Sequence, residues 1–349
     1  MMKFRIFIPL VSLLFLNCKE TARTHNWFAM DSNMAVSLFG STPLSDDSVF
    51  FRVEKETERL DQLFSDYSSR SALSEVKGRV GDTLNVNTEV YDVIQIALEV
   101  GKASQGSLDI TLHDLKAMWG LGTGQSGHVP DSAAIDSIMQ KNPTYKSSWD
   151  SFQYQPPVTL LENHRVILNR EQTELDLGAI AKGYVVDRLN SLLDSLGCPN
   201  HIIQAGGEIR LGGKKPSGSW SVGIRHPRAS DSLSGLIHTE VAKSISTSGD
   251  YERFFEQNGI RYHHIFDPRT GRPAQKYCAV TVVTDKSVWA DALSTSLFIL
   301  GPERGAQFAR QYKAAAVWFE ARPTGVCAIP MPEISSLLQL RNIPVCTPH

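Results

Sequence analysis

The segment 175–183 contains the residue types in this chain that are best suited to chemistry. It reads Leu-Asp-Leu-Gly-Ala-Ile-Ala-Lys-Gly and places the carboxylate of Asp176 and the ammonium of Lys182 among small residues. Small residues let a backbone approach a ligand closely, and a helix N-terminus offers free N–H groups to a phosphate. The segment could therefore orient a polar ring or hold a metal–phosphate group. Taken alone, it is more typical of a Gly-containing strand-to-helix turn with a surface ion pair.

A second candidate is the segment 289–295, Trp-Ala-Asp-Ala-Leu-Ser-Thr. Asp291 and Thr295 are four positions apart, so on a helix they share one face. A carboxylate and a hydroxyl one turn apart are hard oxygen ligands that suit Mg²⁺, which keeps water or substrate phosphates in its other positions. An isolated pair of this kind is more commonly an acidic residue in a first helical turn with a threonine packed behind it.

A third candidate is the polar stretch 263–273, which follows the run Ser-Thr-Ser-Gly-Asp-Tyr at 246–251. It contains His263, His264, Asp267, Arg269 and Arg272 among Pro and Gly residues. Irregular loops with so many polar groups are more often functional than structural, and a histidine can accept a proton near neutral pH. A single histidine could equally be satisfied by a loop carbonyl, but that explanation does not account for the whole stretch.

Two weaker motifs contain glycine next to an acidic residue. The segment 104–111, Ser-Gln-Gly-Ser-Leu-Asp-Ile-Thr, presents Asp109, and the segment 204–208, Gln-Ala-Gly-Gly-Glu, predicts a Gly-Gly bend between two strands. Each is, by itself, more typical of a turn or a bulge than of a functional site.

The elements that must position these groups are helices and short strands arranged in blocks. Apolar periodicity predicts helices over 46–67, 88–102, 131–139, 185–196 and 289–300, the last two ended by Gly197 and by Gly301-Pro302. It predicts strands over 35–39, 158–161, 165–168, 201–204, 208–211, 220–224, 236–241 and 279–284. This order favours an α+β fold, with mixed or antiparallel sheets and packed helices, over a doubly wound sheet. We expect one catalytic domain over 27–349, with room for two lobes.

Composition excludes some classes of function. The chain has 349 residues and a formal net charge of −2, and no basic run is interleaved with aromatic residues. These features argue against nucleic-acid binding.

The first residues indicate export. Lys3 and Arg5 precede an apolar run over 6–16 that is too short to span a bilayer, and Cys18 follows it. The pattern resembles a bacterial lipoprotein signal over 1–18 with Cys18 lipidated, although Asn17 stands where Gly or Ala is commoner. It predicts a membrane-anchored protein facing the periplasm, with 19–26 as a polar tether. The alternative is an ordinary cleaved signal with an incidental cysteine.

The remaining cysteines are Cys198, Cys278, Cys327 and Cys346. Their spacing argues against a zinc site. In an oxidising compartment they could form disulfides, or they could be small buried apolar residues.

Five segments occur in an order that resembles the FAD:protein FMN transferases, the ApbE-type family: 176–183, 205–207, 248–250, 264–271 and 290–295. The resemblance extends from about Met30 to Gly301. It implies an ApbE-like fold and Mg²⁺-dependent transfer of FMN from FAD to a Ser or Thr hydroxyl of a target protein, with release of AMP. The implied partner is a subunit of a membrane redox complex that carries a short flavinylation motif.

The resemblance also assigns roles to individual positions. His264 would be the general base. Residues lining FAD would be Met30, Tyr67, Ser107, Leu108, Asp109, Asp176, Lys182 and Ile265. Residues holding Mg²⁺ would be Ala179 through its carbonyl, Asp291, Ser294 and Thr295. Asp31 stands where the family pattern has Gly, and the register around Tyr67, in 65–71, can shift by one or two residues.

Three other functions remain open from the sequence. An FAD pyrophosphatase would use the same metal site with water as the nucleophile. A flavin-binding lipoprotein would need no metal and release no AMP. A structural envelope lipoprotein would leave the polar stretch around His264 unexplained.

Overall fold

The structure is a computed structural model that describes residues 22–64, 79–122, 126–149, 151–170 and 174–346. Its helices are α1 (Asp46–Phe64), α2 (Thr88–Ala103), α3 (His113–Met118), α4 (Ser132–Met139), α5 (Ala181–Ser195) and α6 (Ser287–Gln311). The predicted helices are confirmed within these ranges, while the part of 46–67 beyond Phe64 lies outside the described residues.

The strands are short and mostly joined as hairpins. In chain order they are β1 (Arg23–Ala29), β2 (Ser32–Leu38), β3 (Leu84–Asn85), β4 (Val158–Leu161), β5 (Arg165–Leu168), β6 (His201–Ala205), β7 (Glu208–Leu211), β8 (Trp220–His226), β9 (Ala229–Thr239), β10 (Lys243–Gly249), β11 (Phe254–Gln257), β12 (Ile260–His263), β13 (Phe266–Asp267), β14 (Arg272–Pro273), β15 (Ala279–Thr284), β16 (Ala315–Arg322), β17 (Gly325–Pro330) and β18 (Leu338–Leu340).

The central element is a sheet of eight strands in the order β1-β2-β6-β7-β10-β15-β16-β17, in which all neighbours are antiparallel. Every residue of β15 is buried. Val280 and Val282 face the core shared with the helices, whereas Ala279 and Val283 face a second core shared with the sheet β18-β9-β8. A strand covered on both faces is mostly apolar, and 279–284 has only Thr281 and Thr284 among apolar residues. The predicted α+β class is confirmed.

A third, smaller apolar cluster lies beside this sandwich. It joins α3, α4 and β13 through Leu115, Trp119, Ile135 and Phe266, and the Trp119 indole N–H donates to the Gly271 carbonyl (3.1 Å). Through Phe266 and Gly271, this cluster packs against the polar stretch 263–273.

The predicted tether is wrong in its second half, because Arg23 to Asn26 belong to β1. The guanidinium of Arg23 pairs with Asp46 of α1 (2.7 Å), and the His25 ring stacks between Trp27 and Phe50. These contacts attach the strand to the folded body. Residues 1–21, including Cys18, lie outside the described residues.

The ends of two other predicted elements also differ. β9 covers Ala229–Thr239 rather than 236–241. The backbone of α6 breaks at Gly301 (φ 71°), as the Gly-Pro pair predicts, but a helical segment resumes and continues to Gln311.

Among the cysteines, Cys327 of β17 forms a disulfide with Cys346, while Cys198 and Cys278 are free and buried. One pair of cysteines therefore forms a disulfide, and the other two are small buried residues, as the sequence allowed. Within the described ranges, no helix has the length and apolar character that a membrane span requires.

Candidate active site

The N-terminal turns of α5 and α6 are in close contact at Gly183. A Cβ added there would lie 2.3 Å from the Ser287 carbonyl oxygen and 2.7 Å from the Asp291 Cβ, so only glycine fits. This approach lets the Gly183 N–H donate to Oδ2 of Asp291 (2.8 Å). Gly183 thus allows the two helices to approach each other closely and orients the Asp291 carboxylate.

Asp187, one turn further along α5, caps α6. Its two carboxylate oxygens accept from the backbone N–H groups of Ser287 (2.8 Å) and Val288 (3.0 Å). The residue before α6, Lys286, provides no side-chain cap of its own. Because the first N–H groups of a helix have no partner within it, a cap from the neighbouring helix fixes the start of α6 and so the position of Asp291.

Asp291 lies in a buried cluster of hydroxyl groups. Asp291 is only 3% exposed. Thr295 follows it one turn later on the same face of α6. Ser248 Oγ of β10 lies 2.7 Å from Ser294 Oγ and 3.4 Å from Thr295 Oγ1. Ser294 Oγ also donates to the Asp291 carbonyl (2.9 Å) and is therefore already engaged.

Glu208 is a member of this cluster to which sequence reasoning assigned no role. It follows the Gly206-Gly207 turn between β6 and β7, and it is buried. Its Oε1 accepts from Ser246 Oγ (3.0 Å). Burial, and next the nearby Asp291 carboxylate, hold the pKa of Glu208 well above its usual range. The signal in the sequence is an acidic residue placed inside a hairpin by a glycine pair.

Lys182 supplies the positive charge of the cluster. Burial opposes ionisation of its ammonium, but the Glu208 and Asp291 carboxylates outweigh burial and raise the pKa of Lys182. Its Nζ donates to the Gly178 carbonyl (3.3 Å). Lys182 thus remains charged in the site.

The ion pair between Asp176 and Lys182 that the sequence suggests is not formed, because Asp176 pairs with Lys116 of α3. Burial raises the pKa of Asp176, but the Lys116 ammonium and the Gly178 N–H (2.9 Å) outweigh it and lower the pKa to about 2. Asp176 is therefore a fixed negative charge at neutral pH.

The two adjacent histidines have different environments. His263 is buried, its Nδ1 accepts from the Ile265 N–H (3.2 Å) and its Nε2 contacts the Ala274 carbonyl (2.5 Å), so both ring nitrogens are engaged. His264 is half-buried, and its Nδ1 lies 3.4 Å from the Arg253 carbonyl. With the proton on Nδ1, its Nε2 is free to accept another.

Burial lowers the pKa of His264 well below its usual range, and the charges of Lys116, Arg253 and Lys182 add to the effect. Lys182 is therefore close enough to affect the protonation of His264 and to interact with the Asp291 carboxylate. The imidazole is neutral at physiological pH, which is the form a base needs.

The hairpin β11–β12 sets which histidine faces which way. It closes at Asn258-Gly259, both with positive φ (53° and 75°), and pairs Phe254 with His263. The next residue, His264, donates its N–H to the Arg253 carbonyl (3.1 Å). Asn-Gly is the commonest sequence of such a two-residue turn.

Met30 and Asp31 form the corresponding turn of the β1–β2 hairpin, with φ of 52° and 54°. Aspartate tolerates positive φ better than most residues, which suits it to this turn. Its carboxylate pairs with Arg253, so Asp31 ties this turn to the residue whose carbonyl accepts from the His264 N–H.

The remaining sequence-predicted residues differ in accessibility. Ser107, Leu108 and Ile265 are buried. The Asp109 carboxylate accepts from Thr111, Asn142 and Arg170 (3.0, 2.9 and 3.1 Å), so it organises the loop after α2. Ala179 is half-buried just before α5, and Tyr67 lies outside the described residues.

The family model that matches this chain is that of the ApbE family, over residues 30–319. The chain belongs to the ApbE family. It is 29% identical over 289 residues to the FAD:protein FMN transferase of Haemophilus influenzae, covering 78% of this chain and 80% of that protein. It is 32% identical over 261 residues to the enzyme of the same name from Vibrio cholerae, covering 72% and 73%. The solved structure of the Thermotoga maritima ApbE protein superposes with a TM-score of 0.78 at 25% identity, covering 91% of this chain and 99% of that one.

As an ApbE-family protein, this chain unites segments that are far apart in its sequence. The structure brings Lys182, Asp291 and Thr295 together, and it places Ser246, Ser248 and Glu208 among them. Ser244, Ser246 and Ser248 alternate along β10 and so share one face of the strand, and this alternation was the signal available in the sequence.

Proposed function

We propose that this ApbE-family chain transfers the FMN part of FAD to a hydroxyl group of a protein and releases AMP. The observation that carries the proposal is the buried Asp291 carboxylate, which the Gly183 N–H orients, with Ser294 and Thr295 following on the same helix and the Lys182 ammonium close to both Asp291 and the neutral His264. A dinucleotide pyrophosphate needs such a combination of a metal-binding acid, a positive charge and a base. The relatives bear the name of this activity.

The residues present fit Mg²⁺. Hard oxygen donors cluster here: the Ser248 hydroxyl lies 2.7 Å from that of Ser294 and 3.4 Å from that of Thr295, and the Glu208 carboxyl group lies beside Asp291. Asp291, the Thr295 hydroxyl, the Ala179 carbonyl and the Ser294 hydroxyl would hold the ion, with Ser294 the most constrained by its other hydrogen bonds. When bound, the ion would neutralise charge on the pyrophosphate and on departing AMP.

The chain's own residues account for positioning and proton transfer. His264 accepts the proton of the acceptor hydroxyl at Nε2, the hydroxyl oxygen forms a bond to the FMN phosphorus, and the pyrophosphate bond to AMP breaks with its electron pair on AMP. Lys182 provides a fixed positive charge close to the reacting phosphates. Phosphoryl transfer depends mainly on such positioning and charge. Met30, Tyr67, Ser107, Leu108, Asp109, Asp176 and Ile265 remain our proposed flavin-site residues.

Two other functions are less well supported. A pyrophosphatase would need water as the acceptor, whereas the relatives are named as transferases to protein. A carrier that only binds flavin would have no use for two buried carboxylates beside a cluster of hydroxyls.

The test uses the purified protein with FAD, Mg²⁺ and a peptide or protein that carries a Ser/Thr-Gly-Ala-Thr-like motif. We expect covalent flavin fluorescence on the acceptor and one AMP for each flavin attached. Asp291→Ala should abolish AMP release while much of the FAD affinity remains. Free FMN with an unlabelled acceptor would instead establish hydrolysis, and undiminished turnover by Asp291→Ala would disprove the metal assignment.

We further propose that the acceptor is a subunit of a membrane redox complex and that the chain is exported and anchored through lipidated Cys18. The disulfide between Cys327 and Cys346 supports export, since such bonds persist in oxidising compartments. Cys18→Ala should move the protein from the membrane to the soluble periplasmic fraction. A protein found in the cytoplasm with both thiols reduced would contradict the assignment.

A further inference from the structure

Glu208 has an unexplained oxygen in the interior of the protein. The residue is 4% exposed and begins β7, where it pairs with Ala205 on one side and with Ser246 on the other. Oε1 accepts from Ser246 Oγ, whereas no group among the described residues donates a hydrogen bond to Oε2. The Asp291 carboxylate contacts Glu208, but two ionised carboxylates only accept hydrogen bonds. Buried polar atoms are nearly always paired, so these two acids need a proton or a cation between them.

The surroundings of that oxygen indicate the charge of the ligand. Glu208 lies close enough to Asp291 for the two carboxylates to repel each other, and both residues are buried. Lys182 supplies one positive charge close to both acids. Two adjacent buried carboxyl groups can both ionise only at a high cost, and a cation placed between them would remove that cost.

A purely structural role does not explain the arrangement. Glu208 could serve to hold Ser246, which lies 3.1 Å from Ser294 Oγ. Oε1 alone meets that need, and a neutral glutamine would meet it without the repulsion from Asp291. The second oxygen of Glu208 and its position beside Asp291 therefore need a different explanation.

We propose that Glu208 is a further residue of the divalent-cation site and that its Oε2 would be an oxygen ligand of the bound ion together with Asp291. The site then has two carboxylates, one from β7 and one from α6. This inference rests on the proposed function, because it extends the cation site assigned there.

The test compares Glu208→Gln with the wild type and uses Mn²⁺ as the probe. Glutamine keeps the side-chain volume and an acceptor for Ser246, and it removes the charge. We expect Mn²⁺ affinity, measured by calorimetry without FAD, to fall at least ten-fold. The melting temperature without metal should equal or exceed that of the wild type because a repulsion is relieved, while the rise caused by Mn²⁺ should shrink.

Ser246→Ala is the matched control, since it removes the bond to Oε1 and leaves the charge and Oε2. We expect its Mn²⁺ affinity to stay within about three-fold of the wild type. Equal losses in the two variants, a lower melting temperature of metal-free Glu208→Gln, or unchanged Mn²⁺ affinity of that variant would each overturn the inference alone. A wild-type protein that binds no Mn²⁺ would overturn the proposed function and this inference together.

Discussion

Gly183→Ala is the substitution that tests the α5–α6 contact most directly. The added Cβ would lie 2.3 Å from a backbone oxygen, Ser287 O, which cannot rotate away as a side chain would. α5 must therefore move by about 1 Å relative to α6 to reach an ordinary contact distance. Overpacking of this kind costs about 1–3 kcal/mol.

Two further contributions act on the same variant. Stretching the hydrogen bond from the Gly183 N–H to Asp291, now 2.8 Å, forfeits about 1.5–3 kcal/mol because the acceptor is charged. Alanine regains about 1 kcal/mol through its higher helix propensity. The free energy of unfolding should therefore fall by about 1.5–5 kcal/mol, and a displacement of about 1 Å of Asp291 should slow AMP release by about 100-fold.

The assay pairs urea unfolding with AMP release at saturating FAD and Mg²⁺. Ser191→Ala, on the exposed side of the same helix, is the control and should change the free energy of unfolding by less than about 0.5 kcal/mol. If Gly183→Ala unfolds like the control and turns over within two-fold of the wild type, the close contact does not position Asp291 and the reasoning is refuted.

Four other predictions concern pH, the buried His263 and the redox state. The pKa of Asp176 is lowered to about 2, so its ionised form contributes about 2 kcal/mol to the free energy of unfolding above pH 4. This contribution is lost as the pH falls from 4 to 2. Acid unfolding curves of Asp176→Asn should not show this loss. Because the pKa of His264 lies well below 6.5, the transfer rate should be flat from pH 6 to 8 and fall only in acid, and His264→Ala should slow transfer most at neutral pH; an unchanged pH–rate profile would remove it as the base. His263→Ala should instead lower the free energy of unfolding, since both its ring nitrogens have buried partners. Reduction of the disulfide from Cys327 to Cys346, which are 19 residues apart, should destabilise the protein by about 3 kcal/mol in urea, and equal stability with and without reductant would contradict this.

Local patterns predicted elements whose environment the chain itself determines. The hairpin Val158–Leu161 and Arg165–Leu168 was predicted to the residue, because its apolar runs flank an obvious polar turn. β1 was missed because it does not alternate between apolar buried and polar exposed residues: Phe28 is 67% exposed, whereas Arg23 and His25 are partly buried. The partners of those two side chains include residues of α1. The hairpin β11–β12 was missed although Asn258-Gly259 is a strong turn signal.

The candidate site shows the same division. Helical spacing correctly placed Asp291 and Thr295 on one face, and the Gly-Pro pair correctly marked the break in α6. The partner of Asp176 could not be predicted, because Lys116 comes from a helix 60 residues earlier that only tertiary packing brings near. The position of Glu208 beside Asp291 could not be predicted either, because it also depends on tertiary packing.

The two-residue turn at Asn258-Gly259 has a consequence for how this chain can vary. Both residues point into solvent, where length changes are usually tolerated. Here an insertion or deletion of a single residue would slip β12 against β11 and exchange the faces of His263 and His264. The imidazole now locked in the interior would emerge, and the reactive one would be sealed inside. The length of this exposed turn therefore matters for the chemistry, although its residues take no part in it. Homologous chains should preserve its length more strictly than its composition.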